Sequence, residues 1–229
     1  PIDGLYDRFM SELDRQPIVV SSPTGSGKST RVPVWCAERG RVLVIEPRRV
    51  ACRSLALRVA DTEGACLGEG VGYVVRDDKR ANESTRITFV TPGIALRFMR
   101  DDPALPSFDT VILDEFHERG MDTDLILALL QSVRSARLIV MSATIEGDRL
   151  AAHLDGIHLT GEGRTFPVEV RYTGTDRQGP TGESLAERVT RALTADSSAD
   201  GHTLVFLPGK REIAECRTHL TGRLPRDVE

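Results

Sequence analysis

The chain has 229 residues, of which 40% are hydrophobic and 28% charged, and its formal net charge is −4. These proportions are typical of a globular protein, and the length exceeds that of one average domain. The acidic balance argues against a protein that coats nucleic acid over its whole surface, but it is compatible with a local basic groove. The four cysteines are widely spaced, which argues against a zinc site or a disulfide framework. We find neither a signal peptide nor an apolar run long enough for a bilayer, and therefore expect a cytoplasmic protein with no membrane partner.

The first two thirds of the chain alternate between short apolar runs and helical patterns. This alternation predicts an α/β fold, in which helices cover both faces of a parallel sheet. A first helix is predicted over 4–15, and strands or extended segments over 18–21, 42–46, 71–76, 87–91, 111–114 and 138–141. Further helices are predicted over 28–36, 48–60, 93–100 and 148–154. A helix after residue 114 would bury the face formed by Leu125, Leu129 and Leu130.

A second, smaller region follows a glycine-rich, polar stretch around residue 162. It is predicted to contain strands over 168–172 and 203–207 and helices over 185–193 and 210–220. Two or three strands are too few for a complete α/β layer. We therefore divide the chain into a first domain, 1–162, and the beginning of a second domain, 163–229.

A glycine-rich segment links the first predicted strand to a helix that begins near Lys28. Glycines let successive backbone N–H groups point inward, and a helix N-terminus attracts anions, so this segment predicts a phosphate-binding loop rather than an ordinary polar turn. Lys28 would contact the β- and γ-phosphates, and the Ser29 hydroxyl would bind Mg²⁺. Ser22 stands where the usual pattern begins with glycine. The predicted nucleotide-binding residues are Thr24, Gly25, Ser26, Gly27, Lys28, Ser29 and Thr30.

Two acids, Asp114 and Glu115, close the apolar run that begins at Val111. Ligands of parallel sheets bind beyond the carboxyl ends of the strands, so these acids should lie beside the phosphate loop. Asp114 is expected to hold Mg²⁺ through water, and Glu115 to complete the metal site and to orient or deprotonate an attacking water. The alternative is a polar strand end that caps the next helix, which the upstream phosphate loop disfavours.

In this order, the segments resemble the motifs of superfamily 2 ATP-dependent helicases of the DEAH/DExH-box group. Residues 22–30 resemble motif I, 47–51 motif Ia, 91–93 motif Ib, 114–117 motif II, 142–144 motif III, and 204–209 with Glu212 the motif IV region. Phe116 in the acidic box and the segment 162–169 are similar to bacterial HrpB-type helicases. The resemblance implies a RecA-like P-loop NTPase domain followed by the first part of a second RecA-like domain.

The resemblance also implies a surface that grips the backbone of single-stranded nucleic acid, RNA in preference to DNA. Its residues would be Arg48, Arg49, Thr91 and Gly93. Arginines and backbone N–H groups are reasonable phosphate ligands, although the residue types alone also fit a solvated helix face. Because aromatic residues make up only 5% of the chain, tracking of phosphates is favoured over stacking of bases.

Three further residues are assigned a coupling role by the resemblance. Ser142 and Thr144 would relay the nucleotide state toward the nucleic-acid surface, and His117 would connect the nucleotide site to the facing domain. From residue types alone, Ser142 and Thr144 could equally cap the turn between a strand and a helix. His117 could be a helix-start histidine with a satisfied hydrogen bond.

The sequence contains no counterpart of the family's motifs V and VI, and motif VI supplies the arginine fingers of the reaction. We therefore expect this chain to bind ATP, or another nucleoside triphosphate, with Mg²⁺ but to hydrolyse it weakly. The complete protein would couple hydrolysis to translocation and unwinding. A P-loop kinase is disfavoured by the acidic box and by the Ser-Ala-Thr segment. A nucleotide-dependent binding module without motor activity stays open as the alternative.

Overall fold

The computed structural model describes residues 2–143, 146–162, 168–170, 172, 183–195 and 203–221. The chain divides into two compact units, Pro1–Phe166 and Pro167–Glu229. None of the helices in these described ranges is long and apolar enough to cross a membrane.

The first unit is built on a single sheet with the strand order β4-β3-β5-β2-β6-β7-β1-β8. All neighbouring strands are parallel except β3 and β4, which form an antiparallel hairpin. The strands are β1 (Ile18–Ser21), β2 (Val42–Ile45), β3 (Val71–Val75), β4 (Asp78–Arg80), β5 (Ile87–Val90), β6 (Thr110–Leu113), β7 (Arg137–Ser142) and β8 (Ile157–Thr160). This mostly parallel sheet confirms the predicted α/β class.

The helices of the first unit cover both faces of the sheet. They are α1 (Tyr6–Glu12), α2 (Lys28–Ala37), α3 (Arg49–Thr62), α4 (Pro92–Asp101), α5 (Met121–Val133) and α6 (Gly147–His153). Two 3₁₀ turns, Ile2–Leu5 and Phe116–Glu118, complete the set. The helix predicted over 4–15 is shorter in the structure. Its first two residues belong to the 3₁₀ turn Ile2–Leu5, and the α-helix spans only Tyr6–Glu12.

Burial on both faces follows from the alternation of side chains along each strand. In β2, Val42 and Val44 belong to the core beneath α1, α2 and α3. Leu43 and Ile45 point the other way and belong to the core beneath α4, α5 and α6. A strand buried on both faces requires an unbroken run of Val, Ile and Leu, which explains why these runs predicted the central strands correctly.

The register of the sheet gathers the loops that carry the predicted site. Ser21 of β1 lies beside Ser142 of β7, and Val140 of β7 lies beside Leu113 of β6. Leu113 in turn lies beside Ile45 of β2. The four strands therefore end at one edge of the sheet, where the segments that follow them must meet.

One prediction for the first unit needs correction. Leu129 and Leu130 of α5 pack on the core as predicted, but Leu125 is 49% exposed, and the helix buries Ile126 and Leu127 as well. The strands β4 and β8 were not predicted. The sequence of β4, Asp78–Arg80, is wholly charged, and its strand conformation comes from backbone pairing with β3 rather than from apolar content. β8 is a short edge strand in which the apolar Ile157 and Leu159 alternate with the polar His158 and Thr160.

The described part of the second unit contains two helices, α7 (Leu185–Ala195) and α8 (Lys210–Leu220), which pack on each other. The segment 203–207 forms no strand, so the strand predicted there is wrong. Its apolar residues need a neighbouring strand to pair with, and none is present among the described residues of this unit. The predicted strand over 168–172 is likewise not formed by residues 168–170 and 172, and residue 171 is outside the described part.

We expect Gly156→Ala to destabilise the first unit by about 1–3 kcal/mol. A Cβ atom at this position would lie 2.3 Å from the carbonyl oxygen of Pro17, which accepts the hydrogen bond from the backbone of Ile157. The substitution should push β8 away from β1, and chemical denaturation would measure the loss. Gly4→Ala is the matched control, because a Cβ there meets nothing within 4 Å. Equal stability of the two variants would contradict the expectation.

Candidate nucleotide site and adjoining cavity

The predicted phosphate loop connects β1 directly to α2. Two of its glycines have left-handed backbone angles, with φ 79° at Gly25 and φ 97° at Gly27. Side chains with a Cβ disfavour this region, which explains why the loop needs glycine at these two positions. Ser22 departs from the usual glycine but fits, because its hydroxyl lies 2.7 Å from that of Ser26 and forms a buried hydrogen bond.

Lys28 is the first residue of α2 and is only 3% exposed. Its Nζ lies 3.1 Å from Oε1 of Glu115. A buried ammonium requires a negative partner, and here Glu115 supplies it. The structure thus brings together Lys28 and Glu115, which are 87 residues apart in the sequence.

Asp114 follows β6 and is 1% exposed. One carboxylate oxygen, Oδ1, accepts a hydrogen bond of 2.8 Å from the backbone of Glu115, whereas Oδ2 has no hydrogen-bond partner among the described residues. Burial raises the pKa of Asp114 to about 6, and the nearby hydroxyl of Ser29 partly opposes this shift. A buried carboxylate oxygen with a free lone pair beside a serine hydroxyl is a suitable ligand set for Mg²⁺, which prefers hard oxygen donors.

Glu46, the residue after β2, was not among the predicted site residues. It is 2% exposed, and its Oε1 accepts a hydrogen bond of 3.1 Å from the backbone of Arg48. Burial, with a smaller contribution from the charge of Asp114, raises the pKa of Glu46 to about 7. The signal was present in the sequence, because Glu46 closes an apolar strand just as Asp114 does. The two strands are neighbours in the sheet.

The three predicted coupling residues have different outcomes. Nδ1 of His117 accepts a hydrogen bond of 3.3 Å from the backbone of Ala143, so the histidine links the turn after β6 to the end of β7. The same Nδ1 lies 3.3 Å from Oε2 of Glu115. An Nδ1 that accepts a hydrogen bond from an amide carries no proton, so the ring in this arrangement is not paired with Glu115 through Nδ1. Ser142 is buried at the end of β7, and its carbonyl accepts from the backbone of Ser22. Thr144 lies outside the described residues.

A cavity of about 760 Å³ adjoins the acids at the same edge of the sheet. Arg49, Thr91 and Gly93, three of the predicted nucleic-acid residues, line this cavity. Arg48 does not line it. The Arg48 guanidinium is held by Glu118, with NH2 2.6 Å from Oε1 of that carboxylate.

Two arginines that were not among the predicted site residues, Arg76 and Arg119, also line the cavity. Arg76 lies in the tight turn between β3 and β4, and its carbonyl accepts a hydrogen bond from the guanidinium of Arg49. This arginine escaped prediction because the hairpin that carries it was not predicted. The cavity is therefore lined by three arginines together with four acids, Asp114, Glu115, Glu118 and Asp122.

The chain is similar to known helicases over its whole length. A DEAD/DEAH box helicase family model matches residues 7–152. The chain is 36% identical to the ATP-dependent RNA helicase HrpB of Escherichia coli over 100% of its length, which is 29% of that protein. It is 38% identical to a probable ATP-dependent RNA helicase, DHX35, of Homo sapiens, over 93% of this chain and 33% of that protein.

The fold is similar to that of a solved helicase. The crystal structure of the Escherichia coli DEAH/RHA helicase HrpB matches with a TM-score of 0.87 and 35% identity, covering 99% of this chain and 30% of that one. The chain thus spans about a third of the length of the curated relatives that it matches.

We expect Glu46→Gln to change the pH dependence of stability. Because the pKa of Glu46 is about 7 in the folded chain and about 4.5 when exposed, the folded state holds this proton more tightly. Between these values the free energy of unfolding should fall as the pH rises. Glutamine keeps the acceptor for Arg48 without the charge, so the variant should be more stable at pH 8 by at least about 1 kcal/mol.

Denaturation of parent and variant from pH 4.5 to 8 would measure this difference. Glu83→Gln, which removes an exposed acid, is the control and should follow the parent. If Glu46→Gln had the same free energy of unfolding as the parent at every pH, the raised pKa assigned to Glu46 would be wrong.

Proposed function

Because the chain belongs to the DEAD/DEAH box helicase family, we propose that it binds a nucleoside triphosphate with Mg²⁺ and grips single-stranded nucleic acid in the adjoining cavity. The observation that carries the proposal is the convergence of Lys28 with Asp114 and Glu115 at one edge of the sheet. A buried ammonium beside two carboxylates provides partners both for the phosphates and for their metal ion.

The phosphates would lie on the loop of residues 24–30. The left-handed glycines allow the backbone to curl around a phosphate, and the N-terminus of α2 adds the favourable end of the helix dipole. Lys28 would leave Glu115 and turn to the β- and γ-phosphates. The triphosphate would therefore compete with Glu115 for the same ammonium group.

Ser29 and Asp114 would hold Mg²⁺, which neutralises charge on the phosphates when bound. Glu115 would support the metal through water and orient or deprotonate the attacking water. Its carboxylate is 24% exposed and is held by Lys28, so it is reachable from the site yet fixed in direction. Ser142, with His117 and the undescribed Thr144, would connect this chemistry to the cavity.

The cavity would bind the sugar–phosphate backbone of the nucleic acid. Arg49 and Arg76 offer guanidinium groups, while Thr91 and Gly93 offer a hydroxyl and backbone N–H groups at the start of α4. Such contacts fix the strand without reading its bases. Arg48 would join them after release from Glu118. The relatives are named RNA helicases, and this favours RNA over DNA as the strand bound by this chain.

For the complete protein we propose strand translocation and unwinding driven by ATP hydrolysis. Residues 1–162 would form the first RecA-like domain and residues 163–229 the start of the second. Loss of the γ-phosphate would release the contacts to Lys28 and the metal. The segment with Asp114 and Glu115, which also lines the cavity, would then change with the state of the nucleotide. The four cysteines are free thiols, which suits the cytoplasmic location that we propose.

We expect Lys28→Ala to weaken binding of Mg-ATP by at least about tenfold, because the phosphates would lose the buried ammonium group of Lys28 as a partner. Isothermal titration calorimetry would measure this affinity. Lys79→Ala removes an exposed lysine of β4 and is the matched control.

In the complete protein, we expect Glu115→Gln to retain binding of Mg-ATP but to block its hydrolysis, which an assay of released phosphate would measure. Normal turnover of that variant would contradict the catalytic assignment.

We expect Arg49→Ala to weaken binding of single-stranded RNA several-fold, to a similar extent for different sequences. The loss of one phosphate contact should lower the slope of log K against log salt by about 1. Fluorescence anisotropy at several salt concentrations would measure both effects. Arg58→Ala, at an exposed position on the same helix, is the control. A sequence-dependent loss would argue that Arg49 reads bases.

A further inference from the structure

The turn that carries the catalytic acid is strained at both ends. We call residues 115–119 the acid turn. Glu115 has φ 48° and ψ 38°, and Arg119 has φ 43° and ψ 144°. A left-handed backbone is costly for residues with a Cβ, and the conformation of Arg119 is close to one that is almost restricted to glycine. Something in the surroundings must therefore hold the acid turn in place.

The side chain of Arg119 supplies a clear restraint. Its Nε lies 3.0 Å from Oδ1 of Asp124 and its NH2 lies 2.9 Å from Oδ2, which makes a two-bond ion pair with the first turn of α5. The same guanidinium lies over the ring of Phe116, 5.1 Å from its centroid. Phe116 is 5% exposed and is anchored in the core beneath α5. Arg119 thus ties the helix start to a buried ring within the acid turn.

The backbone transmits this restraint to Glu115. The amide of Arg119 donates to the carbonyl of Phe116 at 3.2 Å, and the amide of Glu118 donates to the carbonyl of Glu115 at 2.9 Å. If Arg119 relaxed to an ordinary φ, the turn would unwind and the direction of the Glu115 side chain would change. A carboxylate that orients water tolerates little displacement, because misplacement by about 1 Å already slows such reactions strongly.

We propose that Arg119 and Asp124 are positioning residues that fix the Glu115 carboxylate between Lys28 and the metal site. The proposal deepens the proposed function, since it depends on Glu115 acting there. The pair is half exposed, and an isolated pair of this kind contributes little to stability. Its role is therefore to select one conformation of the acid turn. An arginine is required, since a lysine can neither form the two-bond fork nor stack flat on the ring.

The test combines hydrogen exchange with a double-mutant cycle on the full 229-residue chain. The variants are Asp124→Asn, Glu115→Gln and their combination. Asp122→Asn is the control, because Asp122 is an exposed acid in the same first turn of α5 and forms no ion pair with any described residue. The ligand is the ATP analogue AMP-PNP with Mg²⁺, and its affinity is measured by calorimetry.

In Asp124→Asn, we expect the amides of residues 115–119 to exchange about fivefold faster, while those of the phosphate loop keep the parent rate. In the parent, Glu115→Gln should tighten binding of the analogue about threefold, because the amide no longer competes for Lys28. This gain should vanish in the Asp124→Asn background and persist with Asp122→Asn. Arg119→Lys should behave as Asp124→Asn does.

Parent-like exchange of the acid turn in Asp124→Asn would overturn the proposal, whether or not nucleotide binds. An equal gain from Glu115→Gln in all backgrounds, or a gain lost with Asp122→Asn as well, would overturn it too. If the parent chain failed to bind Mg-AMP-PNP while Asp124→Asn still loosened the acid turn alone, the restraint would be supported and the nucleotide site refuted. The two failures are thus distinguishable.

Discussion

The ion pair between Lys28 and Glu115 is the interaction on which the site depends. It spans three neighbouring strands, because Lys28 follows β1, Glu115 follows β6, and β7 lies between them. The parallel register makes this contact possible, since it brings the carboxyl ends of these strands to the same level. Asp114, the proposed metal ligand, and His117, the proposed coupling residue, both contact Glu115.

Charge at this edge is unbalanced in a way that suits a cation. Glu46 and Asp114 are both almost fully buried and both have a raised pKa, whereas Lys28 is the buried ammonium that faces the acids. Buried carboxylates are costly unless they are paired or bind a metal. A divalent ion on Asp114 would relieve part of this cost, and the affinity for metal and the affinity for the phosphates should reinforce each other.

The sequence was sufficient wherever one local pattern determines the structure. The central strands follow from unbroken apolar runs, and the tight loop between β1 and α2 follows from glycines placed between a strand and a helix. Asp114 and Glu115 could be assigned to the same site because parallel strands must end at a common edge. The predicted bounds of β1 and α8 agree with those observed.

The features that escaped prediction depend on partners distant in the sequence. β4 is charged and becomes a strand only by pairing with β3, so Arg76 in the connecting turn could not be placed beside the cavity. The pairing of Arg48 with Glu118, 70 residues away, likewise has no local signature. Leu125 was assigned to the core because an apolar stripe has two edges, and only packing against the sheet decides which edge is covered.

The charged strand β4 has a further consequence for the behaviour of the protein in solution. A sheet that ends in an open strand exposes unpaired N–H and C=O groups, to which a second molecule can add. Here any added strand would meet the side chains of Lys79 and Arg80, which are exposed on that strand. Lysine and arginine are costly to dehydrate against an incoming chain. The charged strand of the β3–β4 hairpin therefore disfavours aggregation through this edge of the sheet. The turn of the same hairpin places Arg76 beside the cavity.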